Sequence, residues 1–254
     1  MNSKLFAIAR LSFKAALNEK LLHLAVVFAV GMMVISVALG DLGPRAGTKI
    51  IADFGLAAIQ VAAILIAIVL ASNDLPKELE RRTLYVVLSK PVDRAAIILG
   101  KCLGLFGALG LLMALMGLVF YGMLIFLRLP LTPWFAVSIL GSALETFLIA
   151  AMAMLFSLMT SPTLASLYAL VFFFIGHQTG IIRAFGARAG GAVQALTELL
   201  YRIVPNLEAL NFKNDAVYGT MPTGVQLAAS LTYGLAWIVA LIGASVLVFR
   251  RKEL

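Results

Sequence analysis

The chain has 254 residues, of which 62% are hydrophobic and only 13% are charged, and its formal net charge is +8. A soluble domain of this length needs more charged residues to cover its surface, so the composition indicates a membrane protein. The basic residues cluster at the ends of apolar segments, which is typical of membrane topology and argues against a nucleic-acid-binding face. The single cysteine, Cys102, excludes an internal disulfide and a multi-cysteine metal site.

The first residues predict a cationic amphipathic helix over residues 3–20. Its apolar side comprises Leu5, Phe6, Ile8, Ala9, Phe13, Ala16 and Leu17, and its polar side comprises Lys4, Arg10, Lys14 and Asn18. Helices of this kind lie in the headgroup zone of a membrane. The alternative is a frayed cytoplasmic tail. The apolar stretch that follows is too long for a signal peptide, so we expect a retained membrane helix.

Six apolar segments are long enough to cross a bilayer, which requires roughly 20 apolar residues. They are residues 21–40, 54–72, 95–127, 134–160, 163–182 and 224–249. If the N-terminus is cytoplasmic, 13 of the 20 lysines and arginines lie inside and seven lie outside, in agreement with the positive-inside rule. The sequence therefore predicts an all-α polytopic membrane protein. We expect one domain over residues 1–254, with six transmembrane helices and both termini in the cytoplasm.

The largest outer connection, residues 177–222, lies between the fifth and sixth apolar segments. It contains a predicted amphipathic helix that Pro205 ends. The apolar side of this helix carries Val193, Leu196, Leu200 and Ile203, opposite Gln194, Thr197 and Glu198. We expect this outer helix to lie on the outer leaflet or to re-enter it.

A charged stretch, residues 73–94, connects the second and third apolar segments on the cytoplasmic side. Asn73 or Asp74 as a cap and Pro76 in the first turn predict that a new helix begins here. Residues 83–88 are mostly apolar, and Pro91 ends this run. An apolar surface of this kind is costly in water, so a second protein is expected to cover it. The alternative is a loop packed on its own transmembrane helices.

This stretch carries a family resemblance. The sequence Glu80-Arg81-Arg82-Thr83-Leu84-Tyr85-Val86-Val87-Leu88-Ser89-Lys90-Pro91-Val92-Asp93-Arg94, followed by Leu99-Gly100-Lys101, resembles the intracellular segment of ABC type 2 exporter permeases. In that family the segment forms a coupling helix that docks on a separate ATPase subunit. The glycine that usually precedes the threonine is Arg82 here. The resemblance implies ATPase contacts for Glu80, Arg81, Arg82, Thr83, Leu84, Tyr85, Leu88, Pro91 and Arg94.

No motif for ATP hydrolysis is present in the chain. Gly100-Lys101 is followed by Cys102, which cannot supply the hydroxyl that a phosphate-binding loop places on magnesium. His23 and His177 fall on opposite predicted membrane faces, so they cannot share a metal or catalytic site. We therefore expect no enzyme activity, no metal site and no cofactor bound by this chain. The resemblance places ATP and magnesium on the partner ATPase.

Two polar residues in the spans are candidates for a translocation path. Glu145 is the one acid deep in a predicted span, and Gln60 is a weaker candidate in the second. Acids within membranes are functional candidates because burying their charge is costly. The alternative for Glu145 is a structural hydrogen bond between helices. The glycines at positions 100, 104, 107 and 110 predict close helix packing along the third span, with a flexible translocation surface as the alternative.

The resemblance implies the membrane subunit of an ATP-driven exporter in the bacterial cytoplasmic membrane. A second copy or a paralogue would complete the path within the membrane lipid, and two ATPase subunits would dock below. One alternative is an assembly or maturation factor that anchors an ATPase. Another is an ion-coupled secondary transporter, which normally requires several ionisable groups at the midplane and not Glu145 alone. The sequence leaves the substrate open.

Overall fold

The computed structural model describes residues 2–18, 20–40, 47–80, 93–220 and 222–251. Within these ranges the chain is all-α, as predicted, and contains no strand. The helices are α1 (Asn2–Asn18), α2 (Lys20–Gly40), α3 (Gly47–Glu80), α4 (Arg94–Phe126), α5 (Pro133–Ser157), α6 (Pro162–Ala189), α7 (Gly191–Ile203), a 3-10 helix (Leu207–Leu210), α8 (Lys213–Tyr218) and α9 (Gly224–Arg251).

Five helices of the described chain are long and apolar enough to cross a membrane, namely α3, α4, α5, α6 and α9. They coincide with five of the predicted spans. Helix α2 covers the remaining predicted span, and its described residues contain the shorter apolar helical stretch Val26–Ile35. The structure therefore shows a multi-pass membrane protein, while a crossing by α2 stays a prediction.

The spanning helices form a bundle around α3 and α5. Of the most apolar 18-residue stretch of each helix, 72% is buried in α3 and 61% in α5, but only 22% is buried in α6 and in α9. Helix α3 packs against α2 and α5, and α5 also packs against α6 and α9. The two central helices are therefore the ones that position buried polar groups, whereas α6 and α9 leave apolar faces uncovered by this chain.

Helix α3 does not end where a new helix was predicted to begin. It continues through Asn73, Asp74 and Pro76 to Glu80, so the predicted cap is wrong. The side chains of the proposed caps have other partners: Asn73 Nδ2 donates to the carbonyl of Val69 at 2.8 Å, and Asp74 accepts from Lys101 Nζ at 3.0 Å. Both side chains are therefore used within a continuing helix and not as caps of a new one.

Helix α6 is longer than its predicted span, 163–182, because it continues to Ala189. Gly176 and Gly180 both lie within this helix. A glycine within a helix costs only about 1 kcal/mol relative to alanine, and tertiary packing readily compensates for that. At Gly176 the lack of a side chain makes room for Leu207, since a Cβ atom there would lie 2.7 Å from that leucine side chain.

Helix α1 packs across the first half of α4, where the glycine stripe lies. A Cβ atom at Gly104 would lie 2.4 Å from the carbonyl oxygen of Ala9, and one at Gly100 would lie 2.8 Å from Ile8. The predicted close helix packing is confirmed at these two glycines. Phe6 on the predicted apolar side is 69% exposed, whereas Ser12 is buried where α1 meets α4.

The outer segment between α6 and α9 divides into two parts. Helix α7 confirms the predicted amphipathic helix, and its apolar residues Val193, Leu196 and Ile203 are exposed, while Thr197 is buried against Gly186 of α6. The part that enters the bundle is residues 204–218, in which Leu207 and Leu210 are fully buried. We call residues 204–218 the inserted segment. The outer helix was expected either to lie on the outer leaflet or to re-enter it, and the part that enters the bundle follows immediately after it.

Candidate functional site

Helix α5 carries a fully buried carboxylate near its middle. Glu145 lies 12 residues after Pro133, about 18 Å along the helix at 1.5 Å per residue, and its exposed fraction is 0%. An isolated charge at this depth would be very unfavourable, so the side chain requires polar partners. The residues that provide them come from three other helices.

Gln60 and Lys213 connect this carboxylate to the inserted segment. Gln60 of α3 is 2% exposed, and its Nε2 donates to Glu145 Oε2. The Oε1 atom of the same amide accepts a hydrogen bond from Lys213 Nζ at the start of α8. Both functions of the amide are thus used, and the lysine supplies a positive charge beside the buried carboxylate. We refer to Gln60, Glu145, His177 and Lys213 as the Glu145 cluster.

His177 of α6 approaches the other carboxylate oxygen. Its Nε2 lies 3.3 Å from Glu145 Oε1, without the geometry of a hydrogen bond, and its Nδ1 lies 3.2 Å from the carbonyl of Phe173. A carbonyl oxygen can only accept, so Nδ1 carries a proton, and in the neutral ring Nε2 is then an acceptor. A proton on Glu145 Oε1 or on His177 Nε2 makes this contact favourable. The Glu145 cluster can therefore hold one exchangeable proton, between Glu145 Oε1 and His177 Nε2.

The inserted segment packs closely against glycines from three helices. A Cβ atom at Gly141 of α5 would lie 2.4 Å from the carbonyl oxygen of Leu210, and one at Gly234 of α9 would lie 3.0 Å from the side chain of Leu210. Gly176 of α6 provides the same space for Leu207. Because larger residues would clash at these positions, the three glycines determine how deeply the segment reaches and thereby place Lys213 at Gln60.

Two more buried polar atoms lack a hydrogen-bond partner among the described residues. They are Ser138 Oγ on α5 and Asn206 Oδ1 in the inserted segment. Ser138 precedes Glu145 by seven residues, two helical turns, so both side chains lie on one face of α5. This face of α5 therefore carries two buried oxygen atoms, Ser138 Oγ and Glu145 Oε1, that have no hydrogen-bond donor among the described residues.

The charged stretch that resembles a coupling segment is described only at its two ends. Helix α3 reaches Glu80, although the side chain of Glu80 is not described, and α4 begins at Arg94. The predicted contact residues that lie outside the described residues are Arg81, Arg82, Thr83, Leu84, Tyr85, Leu88 and Pro91. A coupling helix over these residues stays a prediction.

The two ends of this stretch are tied to one another and to the end of the chain. Lys101 Nζ lies 3.0 Å from Asp74 Oδ2, which connects α4 to α3, and Lys101 is only 2% exposed. Arg94 donates to the carbonyl of Arg250 at 3.1 Å, and Arg250 lies 3.6 Å from Asp93. Asp93 also caps α4 by accepting from the amide of Ala95. A force on this stretch would therefore reach α3, α4 and α9 together.

Sequence reasoning identified Glu145 and Gln60 and missed their partners. The two residues are 85 positions apart, and Lys213 is 153 positions from Gln60, so no local spacing connects them. His177 was considered only in relation to His23. The available signal was indirect: an acid inside an apolar span requires a cation, and the outer segment offers few.

Comparison with protein families shows to which family the chain is similar. The family described as ABC-2 family transporter protein matches residues 6–254 of the chain. A search of curated proteins finds no match. The matched range includes every residue of the Glu145 cluster and both ends of the charged stretch.

Proposed function

We propose, from the premise that this chain belongs to the ABC-2 family of transporter proteins, that it is the membrane subunit of an ATP-driven exporter. The observation that carries this proposal is the family match over residues 6–254 of a chain whose described part contains five helices long and apolar enough to cross a membrane. In the proposed assembly, separate ATPase subunits bind ATP and magnesium, and this chain forms half of the translocation path. It resides in a bacterial cytoplasmic membrane, with both termini inside.

The coupling route follows from the ties at the charged stretch. Residues 81–92 join α3 to α4 on the proposed cytoplasmic side and carry the resemblance to the ATPase-docking segment. The Asp74–Lys101 pair and the contact between Arg94 and Arg250 support transmission of ATPase movement into three spanning helices. In the proposal, residues 80–94 dock on the ATPase, with Leu84, Tyr85 and Leu88 buried.

The second half of the path comes from another copy of this chain or from a paralogue. Helices α6 and α9 support this, because most of their apolar surface is not covered by the chain itself. Examples are Leu167 and Phe174 on α6 and Val239 on α9, which are 51%, 61% and 69% exposed. Membrane lipid covers whatever part of these faces the second subunit leaves free.

The Glu145 cluster is proposed to lie on the translocation path. It joins two central helices, a third spanning helix and the inserted segment in one buried polar contact. The cation comes from a short helix outside the spanning bundle, which makes the contact dependent on the position of that segment.

Purification of the tagged chain from its native membrane tests this function. We expect an ATPase subunit to co-purify, and the complex reconstituted in proteoliposomes to move substrate only when ATP is hydrolysed. A co-purifying ATPase without substrate movement would indicate an ATPase-anchoring assembly or maturation factor instead. Movement driven by an ion gradient in the absence of any ATPase would indicate a secondary transporter.

A further inference from the structure

We infer that Gln60 and Glu145 bind a primary ammonium group of the exported substrate, at a site that Lys213 occupies in the described state. This inference rests on the proposed export function and adds the class of substrate. Its starting point is that the two site residues lie on the central helices α3 and α5 and are hydrogen-bonded to each other, whereas the ammonium bound to Gln60 belongs to the inserted segment. The site thus already holds the chemical group that we assign to the ligand.

If the inserted segment withdrew, another cation would have to take the place of the Lys213 ammonium. Lys213 is linked to Glu145 through the amide of Gln60, and both site residues are almost completely buried. If the segment moved away to open an outer exit, a buried carboxylate would lose its counter-charge, which is strongly unfavourable in an apolar environment. A substrate ammonium restores the same charge at the same place. The exchange is balanced whether or not the proton between Glu145 and His177 is present.

The acceptors at the site match a group with several N–H donors. An ammonium has three, and the site offers Gln60 Oε1 and the carboxylate of Glu145, whose Oε1 has no hydrogen bond among the described residues. A quaternary ammonium has no N–H group, so we expect the site to prefer a primary amine.

Apolar residues near the site favour a ligand whose remaining part, apart from the ammonium group, is apolar. Leu148, which lies one turn after Glu145 on α5, is 0% exposed. A calcium or magnesium ion requires about six or more oxygen ligands, which one amide and one carboxylate do not supply. An amine with an apolar body, in contrast, gains from burial of that body among such side chains. The ligand class is therefore an apolar primary amine.

Binding of a small probe to the purified chain in phosphatidylcholine nanodiscs tests the inference. The probe is 2-phenylethylammonium, and its controls are the neutral alcohol 2-phenylethanol and the trimethylated ammonium with the same ring. We expect the primary ammonium to raise the unfolding temperature in proportion to its binding, the trimethylated form to do so less, and the alcohol not at all. An equal rise with the alcohol would overturn the inference.

Three variants locate the binding. Glu145→Gln should weaken the ammonium at least about tenfold, because the counter-charge is lost. Lys213→Met should strengthen it at least about tenfold, because the competing internal ammonium is gone, while Lys213→Arg keeps a tethered cation and should bind as the wild type does. Glu198→Gln, which removes an outer acid paired with Arg183, is the matched control and should leave binding unchanged.

Unchanged ammonium binding in Glu145→Gln, or the same affinity in Lys213→Met and Lys213→Arg, would overturn the inference. If Glu145→Gln does not fold, the comparison of the two Lys213 variants decides alone. The binding measurement uses neither ATP nor an ATPase. Failure here therefore leaves the proposed export function untouched, and failure of the ATPase to co-purify leaves this measurement interpretable.

Discussion

At the scale of single residues, the depth of the inserted segment depends on the absence of side chains at three positions. Gly141, Gly176 and Gly234 lie on three different helices and face Leu207 or Leu210. The closest approach is at Gly141, where an added Cβ would lie 2.4 Å from a backbone oxygen. Backbone cannot give way as a flexible side chain can, so Gly141 is the most sensitive of the three.

Gly141→Ala should destabilise the protein by about 1–3 kcal/mol, because the added methyl group forces the inserted segment away from α5. The matched control is Gly122→Ala in α4, where an added Cβ has no neighbour within 4 Å. That substitution should be neutral or stabilising by about 0.4–1 kcal/mol, since it only restricts the unfolded chain. The measurement is the free energy of unfolding of both variants in detergent. Equal stability would contradict close packing of the inserted segment against Gly141.

The residues of the Glu145 cluster show what one sequence can predict at this scale. Glu145 and Gln60 stand out because their neighbours along the chain are apolar. Lys213 and His177 do not stand out, because a lysine in an outer segment and a histidine near a helix end are ordinary in such places. Their role depends on how far residues 204–218 enter the bundle. That depth follows from glycines on separate helices, whose packing partners no sequence pattern identifies.

At the scale of helices, the junction of α3 and α4 explains why local signals were misleading. Asn73, Asp74 and Pro76 are favourable at the start of a helix, and the sequence predicted one there. In the structure the same residues continue a helix that already exists. Asp74 is used for a pair with Lys101, 27 positions away, which local propensity does not include. A tertiary contact thus overrides a correct local preference.

Lys101→Met should destabilise the protein by roughly 1–3 kcal/mol, because it leaves Asp74 without its cation at the junction of α3 and α4. The value lies below that for a fully buried pair, since the side chain of Asp74 is 20% exposed. The double variant Asp74→Asn, Lys101→Met should lose less than the sum of the single variants. Additive losses in chemical unfolding would mean that the pair does not stabilise the junction.

At the scale of the whole molecule, the orientation in the membrane is a prediction from charge. The 13-to-seven distribution of basic residues predicts that both termini and residues 73–94 lie inside and that residues 177–222 lie outside. Apolar length was sufficient to predict the five long spanning helices, because a bilayer requires a nearly fixed number of residues. The position of α1 on α4 was not predicted, since it depends on glycines that make room for a particular partner.

Cysteine labelling tests this orientation. In a Cys102→Ala background, a cysteine at Asp215 should react with an impermeant thiol reagent in intact cells. A cysteine at Lys77, which is exposed near the end of α3, should react only after the membrane is permeabilised. Cys102 is buried, so its removal simplifies the labelling without disturbing the surface. Labelling in the opposite sense would reject the topology with an inner N-terminus.

The central claim is that this permease is driven by an ATPase that docks on residues 80–94, and Leu84→Asp tests it most directly. Burial of Leu84, Tyr85 and Leu88 would contribute roughly 1.5–3 kcal/mol for each side chain, and a charge at Leu84 opposes that burial. Ser89→Asp, which adds the same charge at a polar position of the same stretch, is the control.

The measurement is co-purification of the ATPase together with substrate-stimulated ATP hydrolysis in reconstituted membranes. We predict that Leu84→Asp inserts normally but loses most of the ATPase and uncouples hydrolysis from transport, whereas Ser89→Asp retains both. A full complement of ATPase and normal coupled turnover in Leu84→Asp would contradict the account.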